Sequence, residues 1–267
     1  MKAIVLAGVL CLAAASAGAS GGLVVTLKTT SGTDVVTTQM QFDATHMRAE
    51  LASPGTSKNV LLFDGTRKVM DIVDVDKKTY TEITKADLDA LAAQMDTMIA
   101  QMQQRMGAMP PEQRKQVEAL MRGNGAAGAA AVVKPTYTKT GSSTVGKWKC
   151  DTYDGFTGGR KTSEVCVADP KTLGLSAGDF AISTQMAEFF AKVNPQRATQ
   201  MFTIGTAAER GYDGVPVRTV VLGPSGRSTT IEVTDISHET IPASAFALPS
   251  GLQKMDSPFA GRGRGRS

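Results

Sequence analysis

Residues 84–123, TKADLDALAAQMDTMIAQMQQRMGAMPPEQRKQVEALMRG, form one long helical pattern in a chain that otherwise reads as short strands. Thr84 suits the helix N-cap, and Asp87 three residues on suits the positive end of the helix dipole. Leu88, Leu91, Met95, Met98, Met102, Met106 and Met109 recur at spacings of three and four, which predicts a single apolar side. From Lys85 to Met106 such a helix is about 33 Å long, enough to cross a small domain. Gly107 and the Pro110-Pro111 pair end it. Pro111 and Glu112 open a second helix with Val117, Leu120 and Met121 on its apolar side, and Gly123 closes that one. The expectation is a helical hairpin over residues 85–122, whose apolar side must find a sheet to lie on.

Six of the 13 methionines fall between Met95 and Met121. Methionine is flexible and polarizable, so it fills irregular gaps and accepts varied apolar partners. Four uses of such a side remain open from the residues alone. It can be packed core, the lining of a cavity for an acyl chain or another apolar ligand, a docking side for a partner helix, or a set of thioether ligands for copper(I). The rest of the sequence shows no metal site and calls for no cofactor.

The start of the chain, MKAIVLAGVLCLAAASAGASGG, predicts a secretory signal peptide over residues 1–19. Lys2 is its positive start, residues 3–14 its apolar run, and cleavage is expected near Ala17 or Ala19. The run is too short for a membrane span, and no later segment approaches about 20 apolar residues. Leu10 before Cys11 is too large for lipoprotein processing. The mature protein is therefore expected to be periplasmic or secreted.

The formal charge is +4. Lys2 accounts for one positive charge, and Arg262, Arg264 and Arg266 of the terminal GRGRGRS for three, so residues 20–260 balance to zero. A basic groove for nucleic acid is not expected. The Arg-Gly tail, residues 261–267, reads as disordered, with anionic envelope components as its natural contact.

With Cys11 removed, Cys150 and Cys166 remain, an even pair in an oxidising compartment. KWKCDTYDGF and KTSEVCVA read as strands of one hairpin. A three-residue loop, Thr157-Gly158-Gly159, would set Cys150 directly opposite Cys166, within disulfide reach.

Strands are expected at 23–30, 35–42, 45–51, 59–63, 68–75, 79–83, 136–139, 147–156, 161–168, 217–222 and 228–236, about ten in all. A third helix is expected at 176–193, capped by Ser176 with Asp179. Phe180, Met186, Phe189, Phe190 and Val193 form its apolar side. The low-complexity linker 123–134 interrupts the strands without an evident domain boundary, so residues 20–260 read as a single domain. Consecutive strands joined by short turns imply an antiparallel sheet, and the helices must cover one face of it, giving an α+β fold.

Chemistry is sparse. His46 and His238 lie in predicted strands and read as structural. Asp71, Asp74 and Asp76 lack the glycine and distal glutamate of a calcium loop and read as solvated turn positions. There is no G-x-S-x-G elbow and no phosphate-cradling loop. The expectation is a protein without enzymatic activity.

Three stretches, VLLFDGTRKVMDIVDVDKKTYTEITKADLDAL, KWKCDTYDGF…GRKTSEVCVADP and IPASAFALPSG, resemble the exported domain-of-unknown-function family numbered 4412. The resemblance spans roughly residues 23–254. Such proteins resemble the LolA-like half-barrel carriers of lipoproteins. The implied fold is a curved antiparallel sheet of half-barrel form wrapped around helices, with an apolar concavity for acyl chains. On that reading Leu91, Met95, Met98 and Met102 of the first helix would line the concavity together with Phe180, Met186, Phe189 and Phe190 of the third. The partner would be lipid or lipoprotein acyl chains. The alternative is a structural or protein-interaction module of the cell envelope.

Overall fold

Strand segments that follow one another through tight turns pair with their neighbours first, and the first six strands do so here. The computed structural model describes residues 19–51, 58–110, 112–113, 135–193, 211–223 and 226–257. The signal-peptide reading, the second helix of the hairpin apart from residues 112–113, the linker 123–134 and the Arg-Gly tail lie outside these residues.

Six strands form a meander: β1 (Ala19–Ser31), β2 (Asp34–Phe42), β3 (His46–Leu51), β4 (Asn59–Asp64), β5 (Val69–Asp74) and β6 (Thr79–Thr84). Helix α1 (Lys85–Gly107) follows. Strands β7 (Thr136–Val145), β8 (Trp148–Thr157) and β9 (Arg160–Ala168) make a second meander. Next come two 3-10 turns, Pro170–Leu173 and Ala177–Phe180, and helix α2 (Ala181–Phe190). The chain returns through β10 (Val215–Leu222) and β11 (Ser228–Pro242), then a 3-10 turn (Ala243–Phe246) and β12 (Gln253–Met255). The long β11 pairs with β1 and joins the two meanders. The result is one curved sheet of twelve strands in the order β12-β6-β5-β4-β3-β2-β1-β11-β10-β9-β8-β7. Its end strands do not meet, so the sheet is unclosed. All pairings are antiparallel except β12 with β6. The expected α+β class with an antiparallel sheet holds, with twelve strands in place of about ten. The twelfth, three exposed residues, carries no periodicity that a sequence could display.

The period-two alternation of the strands sorts their side chains onto two faces. On the inner face, Ile83, Met70, Phe63, Met47, Phe42 and Leu23 face one another in a single cross-strand row that ends at His238. The six apolar members are at most 3 % exposed. The segment 173–190 lies over this row, adding Leu173, Leu175, Phe180, Ile182, Met186 and Phe189 to the same core. Phe189 stacks at a tilt on Phe63 with centroids 5.4 Å apart. A Cβ at Gly65 would meet the side-chain tips of Ile182 and Gln185, so the glycine lets the β4–β5 turn lie close against α2. The outer face carries two smaller clusters. Val60, Leu62 and Val73 are packed by Tyr80, Leu248 and Leu252, and Val165, Val167 and Tyr212 by Tyr137 and Tyr153.

Cys150 and Cys166 are joined, with Cα atoms 5.4 Å apart. They are not directly opposite as expected: Cys166 faces Thr152. Gly158 and Gly159 both adopt positive φ, so the turn is a two-residue one and Thr157 faces Arg160. That register alone would send the two sulfurs to opposite faces. A bulge between Gly155 and Phe156 shifts the register by one and restores them to the same face, on the diagonal.

Candidate functional site

The predicted caps form at Thr84 for α1 and at Ser176 for the 3-10 turn that leads into α2. Helix α2 itself starts after Phe180 without a side-chain cap, so the helix expected at 176–193 is a 3-10 turn followed by a shorter α-helix. Thr84 donates its N–H to Asp87 Oδ2 at 2.9 Å, and Asp87 returns its N–H to Thr84 Oγ1 at 3.2 Å. Ser176 donates both its N–H and its hydroxyl to Asp179 Oδ2, each at 2.7 Å. The two helices then part company. In the 3-10 turn before α2 and in α2 itself, Phe180, Met186 and Phe189 are buried in the core and Phe190 packs on its margin. They pack against the sheet, so they plug the concavity more than they line it. In α1 only Leu88 is buried. No residue of α1 beyond Leu88 belongs to the core or to the apolar residues packed on it.

The structure therefore does not bring Leu91, Met95, Met98 and Met102 together with the aromatic side chains of α2. Met98 is 69 % exposed. The half-buried side of α1 runs through Leu91, Ala92, Met95, Ile99, Met102 and Met106. At 100° per residue Ile99 continues that line near its centre, whereas Met98 falls at its margin, about 20° beyond Leu91. A hollow of about 440 Å³ beside Ala93, Gln94, Thr97 and Met98 is walled by α1 alone among the described residues. A polar hollow beside Thr140, Thr152 and Arg218 is about 60 Å³. Small-molecule sites are typically ~300–1,000 Å³, so it is too small for a lipid chain.

The partly covered apolar surface of the inner face lies on the sheet itself. One pleat beyond the sealed row, Ile72, Leu61, Ala49, Met40, Val25 and Ile236 form a second inner row. Ala49 and Val25 are buried, whereas Ile72, Leu61, Met40 and Ile236 are only partly so. Leu27, one pleat further along β1, is also partly buried. Beyond these, on the same face, Leu51 is 46 % and Ile231 is 36 % exposed. Burial of the inner face is thus less complete beyond the first row, although Val25, Ala49 and Val233 stay buried there. These sheet residues were not singled out by their sequence. The signal was present in the alternation of Val25 with Leu27, Met40 with Phe42, Leu61 with Phe63 and Met70 with Ile72.

Charged groups sit at the rim. His238 Nε2 lies 3.1 Å from Asp179 Oδ1 and ties β11 to the start of the helical cover. Burial alone would raise the Asp179 carboxyl, but the hydrogen bonds from Ser176 and His238 hold it below its ordinary range. Lys192 bridges to Asp89 at 3.0 Å, linking the segment after α2 to the first turns of α1. His46 rests against Asp43 at 3.1 Å and stacks on Phe246. Among the described residues, no group of three or more His, Cys, Asp or Glu side chains is placed to hold a metal ion. No described helix is long and apolar enough to cross a membrane.

The family model described as "Domain of unknown function (DUF4412)" matches residues 84–252. The chain belongs to this family. No match is found among curated proteins. Similar solved structures include an uncharacterized conserved protein from Thermus thermophilus. It is 10 % identical over 89 % of this chain and 91 % of that one, with a TM-score of 0.45. A LolA superfamily protein from Nitrosomonas europaea is 7 % identical over 86 % and 90 %, with a TM-score of 0.27. The MucA/MucB complex of Pseudomonas aeruginosa gives 10 % identity and a TM-score of 0.38, covering 87 % of this chain and 57 % of that one. These likenesses are too distant to assign an activity to the DUF4412 chain.

Proposed function

We propose that this DUF4412 protein is an exported carrier that shelters an apolar group, such as a lipid or lipoprotein acyl chain, against the open part of its sheet's inner face. The observation that carries this reading is the difference in burial between two apolar rows. The first is sealed by α2, and the second, through Ile72, Leu61, Met40 and Ile236, is left half covered. Apolar surface of that extent is costly to leave in water. Each methylene sheltered there contributes about 0.8 kcal/mol. An unclosed sheet can admit such a chain from its side without unfolding. The leader pattern at residues 1–19 supports a periplasmic or secreted setting. The role proposed is one of binding.

The test is native mass spectrometry with lipid extraction on protein purified from its own compartment. Co-purified lipid that is lost in a folded Met40→Lys variant supports the carrier. Retention in Met98→Lys is expected, because Met98 is exposed at the margin of the half-buried side of α1. A ligand-free protein that also fails to take up a fluorescent fatty acid leaves a structural or protein-interaction module of the cell envelope.

A further inference from the structure

Asp71 is the one carboxylate among the buried side chains of the described residues, 7 % exposed in the middle of β5. Its sequence context reads as a solvated turn, yet the register places it inside a sheet, facing Leu62 on β4 and Glu82 on β6. Its Oδ1 is buried and receives no hydrogen bond. Its neighbours on the outer face are Leu62 and, two residues along, Val73, and both are sealed by Leu248 and Leu252 of the C-terminal segment. That segment is a thin strap over the outer face. Phe246 stacks on His46, and the Ala245 carbonyl accepts from Arg48 at 3.4 Å. The Gln253 N–H reaches the Lys78 carbonyl at 2.9 Å, and β12 pairs with β6 through three residues only. At the end of the strap, Lys254 bridges to Glu82 at 2.6 Å. So few contacts place the strap at the low end of local stability.

We propose that Asp71 is a proton-operated latch for this strap: with its carboxyl neutral, residues 243–255 lie closed over the outer face of β4, β5 and β6, and with it ionised the strap opens. Closing the strap buries the carboxyl without giving Oδ1 a donor, which disfavours the charged form; opening the strap returns the group to water. The charged groups around it are Glu82 on β6, Asp64 and Arg67 at the β4–β5 turn, and Lys254 on β12. Arg48 on β3 is further along the same cross-strand row, beyond Leu62. Burial and the Glu82 charge push the Asp71 carboxyl up to about 6, against the opposing pull of Arg67 and Lys254. The closed strap therefore binds a proton more tightly than the open one, and closure weakens as pH rises from about 4 through about 6. Opening uncovers Val60, Leu62, Val73 and Tyr80, an apolar patch beside a freed edge of β6. The latch is on the opposite face from the proposed ligand surface and is independent of it.

Amide hydrogen exchange of residues 248–257 tests the latch, each rate divided by its unstructured value at the same pH. Protection at pH 5 is expected to exceed that at pH 8 by up to about tenfold, from a closed value near 6 and an open value near the ordinary 3.8. Amides of the β1–β11 ladder should show no such change. Asp71→Asn should hold the strap closed and flatten the dependence. If that variant does not fold, the carboxyl carbon resonance of Asp71 in the natural protein gives the same information, titrating near pH 6 together with the strap amides. Protection that is equal at both pH values, an unchanged dependence in Asp71→Asn, a loss shared with the β1–β11 ladder, or a titration near pH 4 would overturn the latch.

Discussion

Helix α1 and the segment made of the 3-10 turn with α2 each open on a capping box and carry an apolar stripe, and they meet opposite fates. Helix α2 is ten residues of AISTQMAEFF, without a cation and with one acid, and it delivers Ile182, Met186 and Phe189 into the core. Helix α1 is more than twice as long and delivers Leu88 alone. The difference is side-chain bulk and placement. Aromatic rings bury far more area per residue than methionine and hold it in fewer rotamers. The α2 segment is also anchored at both ends, through Asp179 to His238 and through Lys192 to Asp89. Helix α1 leaves the sheet from β6 near one edge, so only its first turn lies over the inner face. A periodic stripe is thus evidence that a helix has an apolar side, and no evidence of how much sheet that side will meet.

Substitutions along the two helices and the stapled hairpin separate the two helices. Phe189→Ala should destabilise the protein by roughly 3–5 kcal/mol, because a ring packed on Phe63 leaves a cavity. The check is urea unfolding followed through Trp148, itself 6 % exposed in the core. A loss under about 1 kcal/mol would break the comparison. Next in size, a Cys150→Ala/Cys166→Ala variant should lose about 3 kcal/mol through the freed hairpin loop. Exchange protection should fall in β8 and β9 and stay unchanged in α1. Removing the first cap, Thr84→Ala, should cost about 1 kcal/mol and fray the start of α1. Circular dichroism during thermal unfolding would register it. Met102→Ala should change stability by less than about 1 kcal/mol, since the side chain is half exposed and outside the core. A larger loss would show that α1 is as firmly seated as α2.

Much of the sheet was legible because strand periodicity is local. The first eleven strands follow from alternation and from turn residues such as Asp64-Gly65 and Gly158-Gly159, to within a few residues at most ends. The two capping boxes were legible for the same reason, being fixed by residues three apart. What failed was non-local. The single-residue bulge at Gly155/Phe156 decides how Cys150 meets Cys166, and its one mark in the sequence is the glycine inside the strand. Strand β12 exists because Leu248 and Leu252 land on Val60, Leu62 and Val73, a contact between the two ends of the chain. The aspartate pattern placed Asp71 in water because spacing within β5 cannot reveal a cover arriving from the C-terminus. Leu91, Met95, Met98 and Met102 were expected to meet the aromatic side chains of the third helix, and they do not join that core for a related reason. The alternation of Leu27, Met40, Leu61 and Ile72 showed an apolar inner face, but which part α2 would seal depends on where the helix lands.

The central claim is that the half-covered inner row, and not the methionine side of α1, holds an apolar ligand. The most direct measurement is equilibrium titration of the purified protein with a fluorescent long-chain fatty acid, alongside Met40→Lys and Met98→Lys variants shown to be folded. Saturable binding by the natural protein and by Met98→Lys, reduced at least tenfold in Met40→Lys, is the predicted result. Binding that is absent, or that is lost in Met98→Lys and kept in Met40→Lys, would contradict it.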